Sequence, residues 1–384
     1  MPRSSAGFSS RWESPSRCLT WMKRRIFRKG LRCCHQVICA PASGETVPGA
    51  VDNVQGRTAI ACSPMKPDPL TRRQLLLNAS AMGMASLAGP LASARTARRQ
   101  APAAAAGALT IGGDLVVNRM GFGAMRLTGP GIWGEPKDAV EARRVLRRAV
   151  ELGVDFIDTG DAYGPAVSER LIKEALHPYP AGLVIATKGG SLRPGPDQWV
   201  QDGRPAHLRE ACEASLKRLK LERIDLYQLH RIDAKVPVAD SLGELARLQK
   251  EGKIRHIGVS QVSVDELATA RRIVPIVSVQ NRYNAVERSS ADVLAVCERE
   301  RLAFIPWAPI ARGSADKLEA DSGHVLEEVA RAHGVNVLQA ALAWLLAKSP
   351  VMLPIPGTSS VTHLEEDIAA ARVRLTAAEI VALG

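Results

Sequence analysis

Past residue 65 the chain has only two cysteines, Cys212 and Cys297, each inside a helix-like pattern. Two isolated thiols make neither a disulfide framework nor a paired-cysteine metal site, so they read as small buried hydrophobes. The other five, Cys18, Cys33, Cys34, Cys39 and Cys62, all precede that point. The stretch "CCHQVIC" at 33–39 has zinc-type ligands but no second half, and no metal is expected. No strand-like run leads into G-x-G-x-x-G at the start of a helix, which removes the usual dinucleotide-binding fold. Excess charge is also missing where a fold is expected. The net charge is +12, but residues 1–107 hold 16 of the 51 basic and 4 of the 39 acidic residues, leaving 35 of each after them. The basic excess belongs to the leader, so no nucleic-acid partner is expected.

Residues 71–94, "TRRQLLLNASAMGMASLAGPLASA", place two arginines before an apolar, Gly/Ala-rich segment ending in small-x-small. That is the layout of a twin-arginine export signal, and the expected destination is the periplasm, with the cytoplasm as the alternative. The apolar run is too short and too rich in Ala and Gly for stable membrane insertion. Because "MKPDPLTRRQLLL" at Met65 looks like a start, residues 1–64 are expected to be a basic leader not made in the cell. The organisation expected is thus a leader over 1–64, a signal and linker over 65–107, and one folded domain over 108–384.

From residue 109 the pattern changes. "LTIGGDLVV" predicts a short hairpin turning at Gly112-Gly113-Asp114. Eight apolar runs follow, at 120–124, 154–158, 183–187, 225–229, 254–259, 276–280, 303–307 and 351–355. Amphipathic helical patterns separate them, at 138–152, 168–176, 207–219, 240–251, 264–272, 288–300 and 323–347, and a last one covers 361–371. Continuous apolar runs suit strands buried on both faces. Eight such units predict an α/β fold, a (β/α)8 TIM barrel with an N-terminal hairpin, preceded by a disordered leader.

Catalytic groups in such a barrel gather where the strands end. The residues there are Gly123-Ala124-Met125, Asp158 with Tyr163, Lys188, His230, Ser260, Gln280, Trp307 and Gly357-Thr358. A phenol is a poor acid or base at neutral pH by itself. A nearby ammonium lowers its pKa, a carboxylate holds the ammonium, and an imidazole hydrogen-bonds the same substrate oxygen. Together they make a proton donor aimed at a carbonyl oxygen. No cysteine or Ser-His pair stands at a strand end to attack the carbon, so a hydride from a nicotinamide cofactor would complete the chemistry.

"GVDFIDTGDAYG", "IATKGG", "LYQLHR", "RHIGVS", "VSVQNRYN" and "IPGTSSVTHLEED" resemble the aldo-keto reductase superfamily, in its order, over 109–384. "NRMGFGAMRLTGPGIWGEPKD" and "IPGTSS" look most like the bacterial branch of pyridoxal reductases and pyridoxine dehydrogenases. The resemblance implies Tyr163 as general acid, Lys188 as its modulator, Asp158 as the holder of Lys188, and His230 as the group orienting the carbonyl. It also implies an NADP(H) cofactor, with NAD(H) still open, and a small carbonyl substrate of pyridoxal type. Ser260, Gln261 and Gln280 would meet the nicotinamide amide. Trp307 would stack on its ring, followed by Ala308, Pro309 and Ile310. Gly123, Ala124 and Met125 would lie near the ribose. Gly357, Thr358, Ser359, Ser360 and His363 would meet phosphate at a helix N-terminus, with Glu366 and Asp367 at the adenine end.

Two features depart from the family: Gln261 stands where Asn is common, and only His363 offers a partial cation near the adenosine phosphate. Trp133 and Trp199, in Pro/Gly-rich loops, are candidate pocket walls. Two rivals stay open, a Schiff base on Lys188 and a non-catalytic nicotinamide-binding redox sensor. Substrate loops at 126–137, 190–206 and 311–322 are not fixed by the pattern, and neither is the oligomeric state.

Overall fold

The computed structural model describes residues 101–310 and 324–384, all within the compact unit Leu70–Gly384. The expected leader and export signal, "CCHQVIC" and the loop at 311–322 expected to shape the substrate pocket lie outside the described residues.

A hairpin comes first. β1 (Ala108–Ile111) pairs antiparallel with β2 (Leu115–Asn118). The turn uses Gly112 and Gly113 at φ 61° and 86°, where residues with side chains are disfavoured. Strand alternation puts Ile111, Leu115 and Val117 on one buried face. Gly112 presses against His256, whose ring a Cβ there would meet at 2.4 Å. Beside it, Asp114 Oδ1 lies 2.7 Å from His256 Nε2, and Asp114 Oδ2 accepts from Arg255.

Then strands and helices alternate. They are β3 (Phe122–Gly123), α1 (Ala139–Glu151), β4 (Phe156–Asp158), α2 (Val167–Leu176), β5 (Val184–Gly189), a short hairpin of β6 (Ser191–Leu192) and β7 (Val200–Gln201), and α3 (Pro205–Leu219). Next come β8 (Ile224–Leu229), α4 (Val238–Lys250), β9 (Ile254–Ser260), α5 (Val264–Ile273), β10 (Ile276–Gln280), α6 (Ala291–Glu300) and β11 (Ala303–Phe304). After the second stretch outside the described residues lie α7 (Val325–Ala332), α8 (Val337–Lys348), α9 (Val361–Ala369) and α10 (Ala377–Leu383). Seven strands form one parallel sheet, ordered β11-β10-β9-β8-β5-β4-β3.

The expected eighth strand is present as a line of hydrogen bonds rather than a regular strand. Pro354 and Pro356 have no N–H to give. Their carbonyls still accept from Gly121 N and Gly123 N, both at 3.0 Å. On the other side Leu353 N donates to Phe304 O and Phe304 N donates to Val351 O. The segment 351–356 therefore joins β11 to β3 and closes the barrel. Pro306 likewise shortens β11, although Ile305 N and Trp307 N carry its line on to Val279 O and Asn281 O.

The closed sheet has an apolar lumen of Phe156, Val184, Ala186, Leu226, Ala303, Ile305, Leu353 and Ile355, floored by the hairpin's Ile111, Leu115 and Val117. A second apolar layer fills the space between strands and helices. In α1 it draws on Ala142, Val145, Leu146 and Ala149, the spacing of one helix face. Asp138 caps that helix by accepting from Val140 N and Glu141 N.

Three expectations need correction. The helical pattern at 323–347 is two helices, because Gly334 at φ 63° ends α7 and the Asn336/Gln339 capping box starts α8. Helix α10 was not expected, though Thr376-x-x-Glu379 is a capping box. Residues 102–106, assigned to a coreless linker, form a 3-10 turn with Ala103 fully buried. Ala103 N donates to Leu152 O, and Arg374 donates to Ala105 O.

Cys212 and Cys297 are buried and unpaired, and burial pushes both thiols up to about 12. Among the described residues no helix is long and apolar enough to cross a membrane, and no cluster of His, Cys, Asp and Glu is placed to hold a metal.

Gly112→Ala should cost about 1–3 kcal/mol through left-handed strain and overlap with His256. Urea unfolding checks it, and an unchanged midpoint would mean the hairpin does not press on the barrel floor.

Candidate active site

Strand periodicity builds the site. Phe156 and Asp158 share one face of β4, Val184, Ala186 and Lys188 one face of β5, and Leu226 and Gln228 one face of β8. Each series is apolar below and polar at its last inward position. The polar residues form a layer on the apolar lumen, where water cannot screen their charges.

Lys188 is fully buried, and Asp158 is 2% exposed. An ammonium has three protons, and Lys188 Nζ has three acceptors. It donates to Asp158 Oδ2 at 2.6 Å, Thr159 O at 2.7 Å and the Tyr163 hydroxyl at 3.1 Å. Asp158 Oδ1 accepts from Gln228 Nε2 at 3.0 Å and Gln280 Nε2 at 2.8 Å. Burial opposes the ammonium, but Asp158 and Tyr163 outweigh it, and Lys188 titrates above the usual lysine value. A lysine that stays charged and saturated is not a free amine, which counts against a Schiff base.

Burial is also the largest influence on Tyr163. Lys188 lowers its pKa, as expected, but burial and Asp158 raise it, and the net direction is upward. The expected net lowering is thus corrected, because the lumen desolvates the phenolate more than Lys188 supports it. Since its oxygen accepts from Lys188, the Tyr163 proton is left to donate elsewhere.

His230 directly follows β8, and its N–H donates to Gly189 O. Its ring is half-buried, with Nδ1 enclosed and unpartnered. Burial, then the charges of Lys188, Arg231 and Arg193, hold it well below the usual histidine value, so it is a neutral imidazole. Tyr163, His230 and Trp199 meet edge to face, at centroid distances of 5.8 Å for Tyr163–His230, 5.6 Å for Trp199–His230 and 6.4 Å for Tyr163–Trp199. Trp133 bridges to Gly164 just after Tyr163. The structure thus gathers the four expected catalytic groups with Trp199 at one mouth.

The expected cofactor residues line the same end of the barrel. Gly123 closes β3, and a Cβ on Gly357 would meet Gly123 O at 2.3 Å, so only glycine fits there. Ala124 and Met125 open a 3-10 turn, and Ala124 O accepts from Ser168 Oγ. Ser260 Oγ donates to Gln280 O. The Gln280 amide serves Asp158 instead, a structural partner the expectation lacked. Gln261 sits at φ 58° and Ala308 at φ 52°, a region that Asn tolerates better than most. Trp307 lies under the Arg282 guanidinium, with its indole N–H buried and unpartnered. Pro309 and Ile310, which follow in the chain, are buried.

At α9, Ser360 Oγ accepts from His363 N, Thr358 Oγ1 accepts from Ser360 N, and Glu141 accepts from Val361 N. Ser359, His363 and Glu366 are exposed. Asp367 is buried, and burial, with Glu366 second, pushes it up to about 7.

Sequence reasoning missed Gln228 and Arg193, and it gave Asp161, two residues before Tyr163, no role. Gln228 lies two residues before His230, on the inward face with Leu226, so strand period alone points to it. Asp161 Oδ1 is buried and unpartnered, and burial and then Glu169 push that carboxyl up to about 8. Arg193 is 7% exposed in the loop after β5, and nothing in the strand pattern points to it.

Residues 119–383 match the aldo/keto reductase family model. An uncharacterized oxidoreductase of Schizosaccharomyces pombe is 52% identical over 69% of this chain and 85% of its own. The pyridoxine 4-dehydrogenase of Escherichia coli is 40% identical over 69% of this chain and 93% of its own. The solved structure of a glycerol dehydrogenase from Gluconobacter oxydans has a TM-score of 0.64 at 28% identity, covering 72% of this chain and 94% of that one.

Lys188→Met would leave the buried Asp158 carboxyl in the lumen without its cation. Stability should fall by about 3–5 kcal/mol, read from guanidinium unfolding. A loss below about 1 kcal/mol would mean water reaches Asp158.

Proposed function

The chain belongs to the aldo/keto reductase family, and from that premise we propose that it reduces a pyridoxal-type aldehyde to the alcohol, with NADPH as the preferred cofactor. One observation carries the reading. Lys188 spends all three protons on Asp158, Thr159 and Tyr163, which leaves Tyr163 a protonated donor beside a neutral His230. The substrate class is supported by the three rings at the mouth and by the likeness to a pyridoxine 4-dehydrogenase.

The donor set suits a dinucleotide. Thr358 and Ser360 present hydroxyls at the start of α9, Trp307 gives a flat ring with a spare N–H, and Asp367 gives a buried carboxyl along the same helix. When bound, the nicotinamide supplies the hydride. The chain's own residues do the rest. His230 orients the carbonyl oxygen by hydrogen bonding, and Tyr163 gives its proton to that oxygen as charge develops. Lys188 stabilises the tyrosinate left behind, and Asp158, braced by Gln228 and Gln280, keeps Lys188 charged. The apolar floor of the lumen keeps water from solvating the separated charges.

Mixing the protein with NADPH and pyridoxal and following loss of reduced-cofactor absorbance tests the reading. Tyr163→Phe should lower kcat by about 10²–10⁴-fold, and retained turnover would refute the assignment of the donor.

The pH dependence follows from the two shifts. Tyr163 is raised, so its donor form persists upward, and His230 is lowered, so its neutral form persists downward. In a variant carrying Asp161→Asn and Asp367→Asn, which removes the two carboxyls held near 8 and near 7, the kcat/KM for reduction should therefore stay flat between about pH 6.5 and pH 10. A limb inside that window in a pH–rate profile would contradict the assignment.

A further inference from the structure

The loops that follow β3, β4 and β5 meet around one side chain, Arg193, whose charge reaches His230 but which holds no reacting group. Arg193 lies just past β6 and is 7% exposed. A guanidinium has five N–H donors, and Arg193 has five carbonyl partners. Nε donates to Gln198 O at 2.7 Å. Nη1 donates to Ile132 O at 2.9 Å and Ala162 O at 3.4 Å, and Nη2 to Gly131 O at 2.6 Å and Gly195 O at 3.5 Å. Saturated in this way, it has no donor left for a substrate carboxylate or phosphate. Its plane lies over the Trp199 ring at 3.9 Å, with Trp133 at 5.9 Å.

The backbone it holds is strained. Ile132 at φ 55° is a β-branched residue in the left-handed region, and Asp197 is there at φ 54°. Such conformations persist only where their surroundings over-determine them. Arg193 bonds the carbonyls of Gly131 and Ile132 on one loop and of Gln198 on the other, and Asp197 N donates to Gly131 O between them. The loop so fixed carries Trp199, whose ring meets both His230 and Tyr163.

We propose that Arg193 is a positioning residue that clamps the three loops and sets Trp199 as a rigid aromatic wall, selecting flat, ring-bearing aldehydes over open-chain ones. This inference rests on the carbonyl-reductase reading. A fixed aromatic face rewards a planar ring by stacking and gives a flexible chain little, so loss of the clamp should fall on one substrate class.

The test compares the full chain with Arg193→Met, which keeps the stem, and Arg193→Lys, which keeps the charge without the fork. Two readouts are taken. In the first, the ratio of kcat/KM for pyridoxal to that for butanal should fall about tenfold in Arg193→Met and by less in Arg193→Lys, mainly through KM for pyridoxal. In the second, amide hydrogen exchange should quicken in 129–134 and 195–201 and stay unchanged in β5. Trp199→Leu, which removes the wall but none of the five carbonyl bonds of Arg193, should lower the ratio without quickening exchange at 129–134, and Arg193→Lys carries the test of the clamp if Arg193→Met does not fold. An unchanged ratio, equal loss on both aldehydes, or unchanged exchange in Arg193→Met would overturn the proposal. If the wild type reduces neither aldehyde, the reductase reading fails, and the exchange data still decide whether Arg193 is a clamp.

Discussion

A lysine with no exposed surface needs its charge answered on all sides, and Lys188 is answered by a carboxylate, a carbonyl and a phenol. Removing an ammonium from water costs several kcal/mol, recovered only when geometry and hydrogen bonding are complete. The rest of the site follows from meeting that demand. The second oxygen of Asp158 must also find partners, so Gln228 and Gln280 reach across the lumen to it. Tyr163 must bring its oxygen to Lys188, which turns its proton outward. His230 sits near the Lys188 charge, and that charge helps keep its ring neutral.

The barrel's architecture makes the arrangement possible. The hairpin floor and the apolar lumen exclude water from below, so the polar layer works in a low-dielectric setting. Closure depends on a segment that two prolines prevent from being a regular strand. Their carbonyls accept from Gly121 and Gly123, which pins the end of β3 against Gly357. Loops then complete the mouth on this scaffold, and Arg193 binds three of them together.

Much of this was legible in the sequence, for a physical reason. Strands buried on both faces are continuous apolar runs, and a charged residue ending such a run is costly unless paired, so Asp158, Lys188 and His230 stood out. The hairpin was legible from Gly112-Gly113-Asp114. Gln228 could have been found from strand period, and α10 from its capping box. Other features were hidden because they depend on distant contacts. Pro354 and Pro356 reveal what they lack but not which N–H groups their carbonyls will accept. Arg193 reads as one more surface cation until three loops are brought together. The net shift of Tyr163 is hidden as well, because the desolvating lumen is built from strands far apart in the chain.

The central claim is that Lys188 is a permanent ammonium that holds Tyr163 as a proton donor. Nitrogen-15 NMR of the lysine side chains, with the Lys188 signal assigned by its loss in Lys188→Met, tests it most directly. The account predicts a slowly exchanging NH3+ resonance that persists past the usual lysine value of about 10.4. A neutral amine at pH 8 would contradict it and return Lys188 to the role of a nucleophile.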